Sequence, residues 1–311
     1  MKITCSILCY NYGRFLPQAI ESCLNQEPGD YELEVLVIDD GSTDETPKVC
    51  DLYNNKIRLL RSSNQGFGAS LTKAIREASG DYVCLLDADD YFSRNKILSL
   101  LPHIESGYLY IEHGNFFVDS GNEAIDSEIH GGGNTSSLCL NRFAALSLLP
   151  VQNELFFHPL KSANHGIKLD KALTFYRIHS SSMIGSKSPH IWYAHLAEIT
   201  HDLANRLLSM SKKESPSWTN SRELEKISKE YQALAYYNEI EMAVLLGQKS
   251  KTLFACVKLF LAAVPSRTGL TIWHCKVIIR GLLARPLSSR KSTWSILCTF
   301  LARFFRIEKT L

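Results

Sequence analysis

Asp87, Asp89 and Asp90 crowd three carboxylates into four positions of YVCLLDADDYF, directly after residues suited to a buried strand. Two carboxylates one residue apart at a strand end can aim oxygens at a single point. Mg²⁺ and Mn²⁺ take oxygen ligands, including those of a substrate diphosphate. This chemistry suits a nucleotide diphosphate bridged to protein by a metal; a solvated acidic turn accounts for the same three residues. A second acidic pair, Asp39 and Asp40, closes the apolar run of VIDDGSTDET. There Gly41 permits a tight turn, and Thr43 or Asp44 can cap the next helix. A capped turn explains Gly41, Ser42 and Thr43 but not two adjacent carboxylates, one of which can accept hydrogen bonds from a base or ribose. In NQGFGASLTKAIREASGD, Gly66 and Gly68 lead into a helix whose N-terminus favours phosphate. Neither GxxxxGK[ST] nor GxGxxG occurs, which argues against a P-loop or a Rossmann dinucleotide enzyme.

The elements that must position these residues alternate in period. ITCSILC, LEVLVID, IRLLR and YVCLL read as strands, and FLPQAIESCLNQ, TPKVCDLYNN and ASLTKAIREA as helices, with Pro47 in the first turn of the second. Strict alternation predicts parallel βαβ units with helices on both faces. Ligands in such sheets sit beyond the carboxyl ends of the strands, the edge where both acidic turns fall. Further on, YLYIEHGNFFV is strand-like, HGGGN is a Gly-rich loop suited to covering a site, SSLCLNRFAALSLL turns from strand to helix, and KALTFYRIH is another strand. After Pro189 five helical segments follow, IWYAHLAEITHDLANRLLSM, SRELEKISKEYQALAYYNEIEMAVLLG, KTLFACVKLFLAAV, LTIWHCKVIIRGLLA and TWSILCTFLARFFRI. The domain boundary is expected near 185 to 195.

The 311 residues are 45% hydrophobic, enough for a substantial core, and the net charge of +2 hides an asymmetry. From Lys249 onward twelve Lys/Arg meet one acid, Glu308, for +11, which leaves −9 for the rest. Nine cysteines form no CxxC pair and several lie in apolar runs, which reads as small hydrophobes in a reducing compartment. The N-terminus lacks the pattern of a signal sequence. Lys258, Lys276, Arg280 and Arg285 interrupt every candidate membrane span. Apolar and aromatic residues at helical spacing beside Arg303, Arg306 and Lys309 suit the interface of an anionic bilayer. A helical bundle with solvated basic faces fits them as well. No nucleic-acid-reading motif accompanies the basic charge, so no nucleic acid is expected as partner.

Together, SILCYNYGRFLPQAIESCLNQ, EVLVIDDGSTDET and NQGFGASLTKAIREASGDYVCLLDADD, and more loosely KALTFYRIH, resemble the family-two glycosyltransferases of the GT-A fold. The resemblance covers most of residues 3 to 92, reappears between about 134 and 183, and leaves the C-terminal third uncovered. It implies a GT-A-like α/β domain over residues 1–190, with a Rossmann-like, mostly parallel sheet flanked by helices, and a helical, basic extension over 191–311. The implied activity is inverting transfer of a sugar from a nucleotide-diphosphate sugar, a UDP-sugar foremost, to a hydroxyl of a glycan or lipid-linked acceptor. Mg²⁺ or Mn²⁺ would assist, in cell-surface polysaccharide or glycolipid synthesis. The expected location is cytoplasmic, peripheral on the inner face of the cell membrane.

Carried over, Asp39 and Asp40 would contact the nucleoside, Asp40 being the preferred base or ribose partner. Asp87 and Asp89 match the family's DxD and would hold the metal, with Asp87 also on the donor, while the backbone from Cys9 to Tyr12, Tyr10 included, would pack on the nucleobase. His179 of YRIH falls where a further metal or diphosphate ligand can stand, although a structural strand-end histidine fits equally. Many relatives carry Arg-Asn where this chain has Leu71 and Thr72, so Lys73 or Arg76 would compensate, unless both are plain surface charges. The family's general base is an acid in an ED-like element upstream of the last strand. LPVQNELFFHPLKSANHGIKLD has no such pair, and Glu154, the only acid between Glu128 and Asp170, becomes the candidate, with His158 as alternative. That departure keeps a degenerate GT-A domain, binding nucleotide-sugar or a partner without turnover, as the rival reading.

Overall fold

The computed structural model describes residues 1–180 and 188–263. Eight strands form one sheet: β1 (Lys2–Cys9), β2 (Glu32–Asp39), β3 (Arg58–Arg61), β4 (Tyr82–Asp87), β5 (Tyr91–Phe92), β6 (Tyr110–Val118), β7 (Leu138–Asn141) and β8 (Gly166–Arg177), in the order β3-β2-β1-β4-β7-β6-β8-β5. The first four pair in parallel. β1 is buried along seven of its eight residues, the mark of a strand covered on both faces. The second half is mixed: β7 runs antiparallel to β4 and β6, β6 and β8 are parallel, and β5 is antiparallel to β8. The parallel half is the βαβ arrangement that the alternation of periods predicts, and the mixed, mostly parallel sheet as a whole agrees with the α/β fold that the resemblance implies.

The helices attach through apolar stripes. α1 (Leu16–Leu24) buries Leu16, Ala19, Ile20 and Cys23, spaced as one helical face, against a core that includes Ile3, Ile7, Val35 and Leu86. α2 (Thr46–Leu52) begins with Pro47 in its first turn. α3 (Phe67–Glu77) buries Ser70, Leu71, Thr72, Ala74 and Ile75, and α4 (Lys96–Glu105) follows the acidic turn. α5 (Arg142–Leu146) continues β7, capped by the Asn141 side chain on the Ala144 amide. Before β8 the chain makes a 3₁₀ turn at Glu154–Phe157 and the short α6 (His158–Leu160). The seven cysteines among the described residues are buried free thiols, in keeping with their reading as small hydrophobes.

Cross-strand register brings the chemistry together. Cys9 of β1 pairs with Asp39 of β2, and Leu8 pairs with Asp87 of β4, so both acidic turns open from the carboxyl edge on either side of β1.

The described residues divide into two compact units. The first holds the sheet, residues 1–180, with Ser215–Asn220, whose Trp218 is buried and donates its indole N–H to the Ser147 hydroxyl at 2.9 Å. The second contains α7 (Pro189–Lys212), α8 (Ser221–Leu245) and α9 (Lys249–Ala263). There Glu239 of α8 accepts from His201 of α7 at 2.8 Å and from Lys258 of α9 at 3.4 Å. LTIWHCKVIIRGLLA and TWSILCTFLARFFRI lie outside the described residues. Among the described residues, no helix is long and apolar enough to cross a membrane.

Candidate functional site

The loops after β1 and β2 are knitted into one wall. Asn11, with φ of 58°, donates its amide to the Ser42 hydroxyl at 2.9 Å and accepts the Thr43 amide at 2.8 Å. The Gly13 amide donates to Asp44 at 2.9 Å. Asp39 is fully buried, accepting from the Ser42 amide and from Arg61 Nε, both at 2.9 Å. Both oxygens of Asp40 are engaged by backbone amides, Gln65 at 2.9 Å and Gly66 at 2.8 Å. The acidic pair thus holds the turn that leads into α3. Tyr10 stands at the rim of this wall, 46% exposed.

The acidic turn after β4 is braced from below. Asp87 donates its amide to the Ser136 hydroxyl at 3.0 Å, and the Ser136 carbonyl accepts from Lys96 Nζ at 3.0 Å and from the Thr174 hydroxyl at 2.8 Å. Lys96 is fully buried, its ammonium 3.4 Å from the centre of the Phe92 ring. Burial pulls its pKa down to about 8. Arg177 braces the turn from the side. Its amide donates to Asp90 Oδ1 at 2.8 Å, its Nε to the Asp89 carbonyl at 2.7 Å, and its guanidinium reaches Gln18 at 2.8 Å and Asn122 at 2.7 Å. Burial, then the neighbouring Asp89 and Asp90 and finally Glu154, push the Asp87 carboxyl well above the ordinary carboxylate range. Burial and Asp89 do the same to Asp90.

Glu154 therefore lies close enough to Asp87 for its charge to be felt, although 67 positions separate them. The Asn153 side chain caps its 3₁₀ turn through the Leu155 amide at 3.2 Å, and burial raises the Glu154 pKa. α3 seats the preceding loop. Thr72 Oγ1 accepts the Val151 amide at 3.0 Å, and a Cβ on Gly68 would lie 2.7 Å from the Val151 carbonyl oxygen, so only glycine allows this approach. Leu71 points into the core and Lys73, on the same helix, is half-buried. His158 is instead held among buried groups, its ring edge-on to Tyr110 at 5.6 Å, its pKa lowered by burial to about 4.

His179 Nε2 donates to Asp89 Oδ2 at 3.1 Å, with a side chain only 2% exposed. Phe15 and Tyr12 flank its ring at 5.1 and 5.7 Å. Burial and then Asp89 raise the Tyr12 hydroxyl to about 12. The geometry thus gathers Asp87, Asp89 and His179 around one corner, with Asp39, Asp40 and Tyr10 on the adjoining wall.

Residues 4–149 match the family described as Glycosyl transferase family 2. The match lies within the N-terminal half of the chain. It is 34% identical over 101 residues to the glycosyltransferase GlyG of Streptococcus pneumoniae, which is 31% of this chain and 33% of that one. To the poly(ribitol-phosphate) beta-N-acetylglucosaminyltransferase TarS of Staphylococcus aureus it is 31% identical over 101 residues, 31% of this chain and 18% of that one. The chain spans about a third of the length of the curated relatives it matches. The crystal structure of S. aureus TarS 1-349 with UDP-GlcNAc shares the fold, with a TM-score of 0.60 and 18% identity over 84% of this chain and 81% of that one.

The acidic turn offers hard oxygen donors of the kind a divalent ion takes. Asp90 Oδ2 is buried without a hydrogen-bond partner, and mutual repulsion within the acidic turn is of the kind a cation relieves. Among the described residues no three His, Cys, Asp or Glu close around a metal by themselves. Asp87 and Asp89 carry carboxylates, the ligand chemistry that Mg²⁺ and Mn²⁺ take. The supports of this corner, Ser136, Lys96, Thr72 and Arg177, carry no sequence signal of their own, apart from the place of Arg177 within YRIH. Their partners lie 38 to 159 residues away along the chain.

Proposed function

We propose that the protein is an inverting glycosyltransferase that moves a sugar from a nucleotide-diphosphate sugar, a UDP-sugar foremost, to a hydroxyl of a glycan or lipid-linked acceptor in cell-surface polymer synthesis. The observation that carries this reading is the acidic turn at the carboxyl edge of the sheet, where Asp89 Oδ2 meets His179 at 3.1 Å and Asp90 Oδ2 is buried without a hydrogen-bond partner. In this reading the turn supplies the diphosphate-side carboxylates, and Glu154, on the loop that Thr72 seats, is the base. Asp39 and Asp40 shape the wall against which the nucleoside lies, with Tyr10 at its rim, and Lys73 serves the diphosphate side. Asp87 and Asp89, with His179 orienting Asp89, would hold Mg²⁺ or Mn²⁺, which when bound neutralises charge on the departing diphosphate. Glu154 takes the proton of the attacking hydroxyl, and its raised pKa makes it a stronger base. TarS, named for transfer of N-acetylglucosamine to poly(ribitol phosphate), supports a cell-wall polymer as the acceptor class. The +11 charge from Lys249 onward suits an anionic membrane surface, where each basic residue adds about 1 kcal/mol.

The test is release of nucleoside diphosphate from UDP-, GDP- and dTDP-sugars by wild type and Glu154→Gln. The reading expects one donor class to turn over and the variant to bind it without turnover. Equal turnover by both proteins would remove Glu154 as base, and no turnover with tight donor binding would favour the non-catalytic alternative.

A further inference from the structure

Within the helical unit, α9 buries one apolar stripe and exposes another. Thr252, Ala255, Cys256 and Leu259, spaced i, i+3, i+4 and i+7, are buried, the last three in one cluster with Ala233 and Ile240 of α8. The helical period puts Leu253, Phe254 and Val257 on the opposite side, where they are 41%, 63% and 48% exposed. At the turn that leads into α9, Leu245 and Leu246 are exposed as well. A helix that is apolar on two opposite sides is ordinarily covered on both.

Length and charge narrow what covers the outer stripe. Fifteen residues make α9 about 22 Å long, short of the roughly 30 Å of a hydrocarbon core, so it can lie along a bilayer surface but not cross the bilayer. The helix carries Lys249, Lys251 and Lys258, and no acid occurs between Glu241 and Glu308. Lys251 is exposed. Lys258 donates to Glu239 at 3.4 Å while its ammonium stands 4.7 Å from the centre of the exposed Phe254 ring. An apolar stripe edged by cations of its own helix matches the interface of an anionic bilayer, where rings and alkyl groups enter the acyl boundary and ammonium groups meet headgroup phosphates. A second copy packed stripe to stripe would instead set lysines against lysines.

We infer that the stripe formed by Leu253, Phe254 and Val257 is the membrane-contact face of the helical unit and takes the surface of an anionic phospholipid bilayer. This inference rests on the membrane-surface part of the reading above and assigns the contact to one face of one helix; it does not depend on sugar transfer.

The experiment is co-sedimentation of the full chain with vesicles of phosphatidylcholine alone and of equal parts phosphatidylcholine and phosphatidylglycerol. Wild type, Phe254→Ser and Lys251→Gln are compared, alongside urea melts, sedimentation velocity without lipid, and calorimetric titration of UDP, GDP and dTDP with Mn²⁺. Wild type should bind the anionic vesicles at least about tenfold more strongly than the neutral ones. Phe254→Ser should weaken that binding by about tenfold or more and Lys251→Gln by roughly fivefold. Urea midpoints should not change, because both side chains stand in solvent. Anionic vesicles bound equally by wild type and Phe254→Ser would overturn the assignment to α9 while leaving the membrane reading, and vesicles bound by none of the proteins would overturn both. A lowered urea midpoint in Phe254→Ser with vesicle binding unchanged, or a dimer that the substitution splits, would overturn the inference in favour of a protein cover. Failure of wild type to bind any nucleotide would overturn the transferase reading alone, and the vesicle arm would still decide the stripe.

Discussion

The hydroxyl of Thr72 accepts the Val151 amide at 3.0 Å, and this one bond links the donor-side helix α3 to the loop that delivers Glu154. A helix that would serve the phosphates thereby sets the position of the candidate base. Thr72→Val keeps the shape of the side chain and removes the acceptor, so it should cost about 1 kcal/mol in stability. A misplaced Glu154 should lower kcat by about tenfold or more while leaving KM for the donor nearly unchanged. Steady-state kinetics on the variant separates the two parameters.

Glu154 itself has a predicted pH signature. Burial raises its pKa, and a base must be deprotonated to act, so the rate should fall with acid at a pH above the ordinary range of an exposed glutamate. Glu154→Gln should lose about 10²- to 10⁴-fold in kcat and lose that acid limb from its residual activity. A pH–rate profile of both proteins at saturating donor checks this.

Arg177 is a prop rather than a contact with substrate. It holds Asp89 and Asp90 while its guanidinium lies 4.5 Å from the centre of the Phe15 ring. Arg177→Gln should destabilise the fold by roughly 3 kcal/mol, since it leaves Asp90 buried with less compensation. Bound nucleotide with Mn²⁺ should recover part of that loss, because binding stabilises the turn from the other side. Urea melts with and without ligand would measure both effects.

Parts of this arrangement are legible in the sequence and parts are not. The parallel strands read cleanly because β1, β2 and β4 are buried on both faces and appear as near-continuous apolar runs. β6 is harder to read, since its pairing with β8 shifts register at His113, Gly114 and Asn115. The acidic turns stand out as composition. What Asp40 does is hidden, because its amide partners, Gln65 and Gly66, come 25 and 26 residues later. Likewise nothing in KILSLL marks Lys96 as buried. A lysine in an amphipathic helix ordinarily lies in solvent, and only the fold supplies the carbonyl of Ser136.

That lysine makes the protein's stability pH-dependent in a defined direction. Its folded pKa of about 8 lies below the unfolded value of 10.5, so its contribution is fully present above 10.5 and is lost as pH falls through about 8. Wild type should therefore gain stability between these values, by at most about 3 kcal/mol. Lys96→Met should flatten the dependence and be no less stable than wild type near neutral pH. Denaturant titrations at pH 7.5 and 9.5 compare the slopes.

The central claim is that Asp87 and Asp89 hold a donor diphosphate through a divalent ion. Calorimetric titration of the purified protein with UDP, GDP and dTDP, with and without Mn²⁺, alongside Asp89→Asn, tests it most directly. The account predicts that one nucleotide binds, that Mn²⁺ strengthens the binding, and that the variant loses the Mn²⁺-dependent part. Binding of no nucleotide, or binding indifferent to both Mn²⁺ and Asp89, would contradict it.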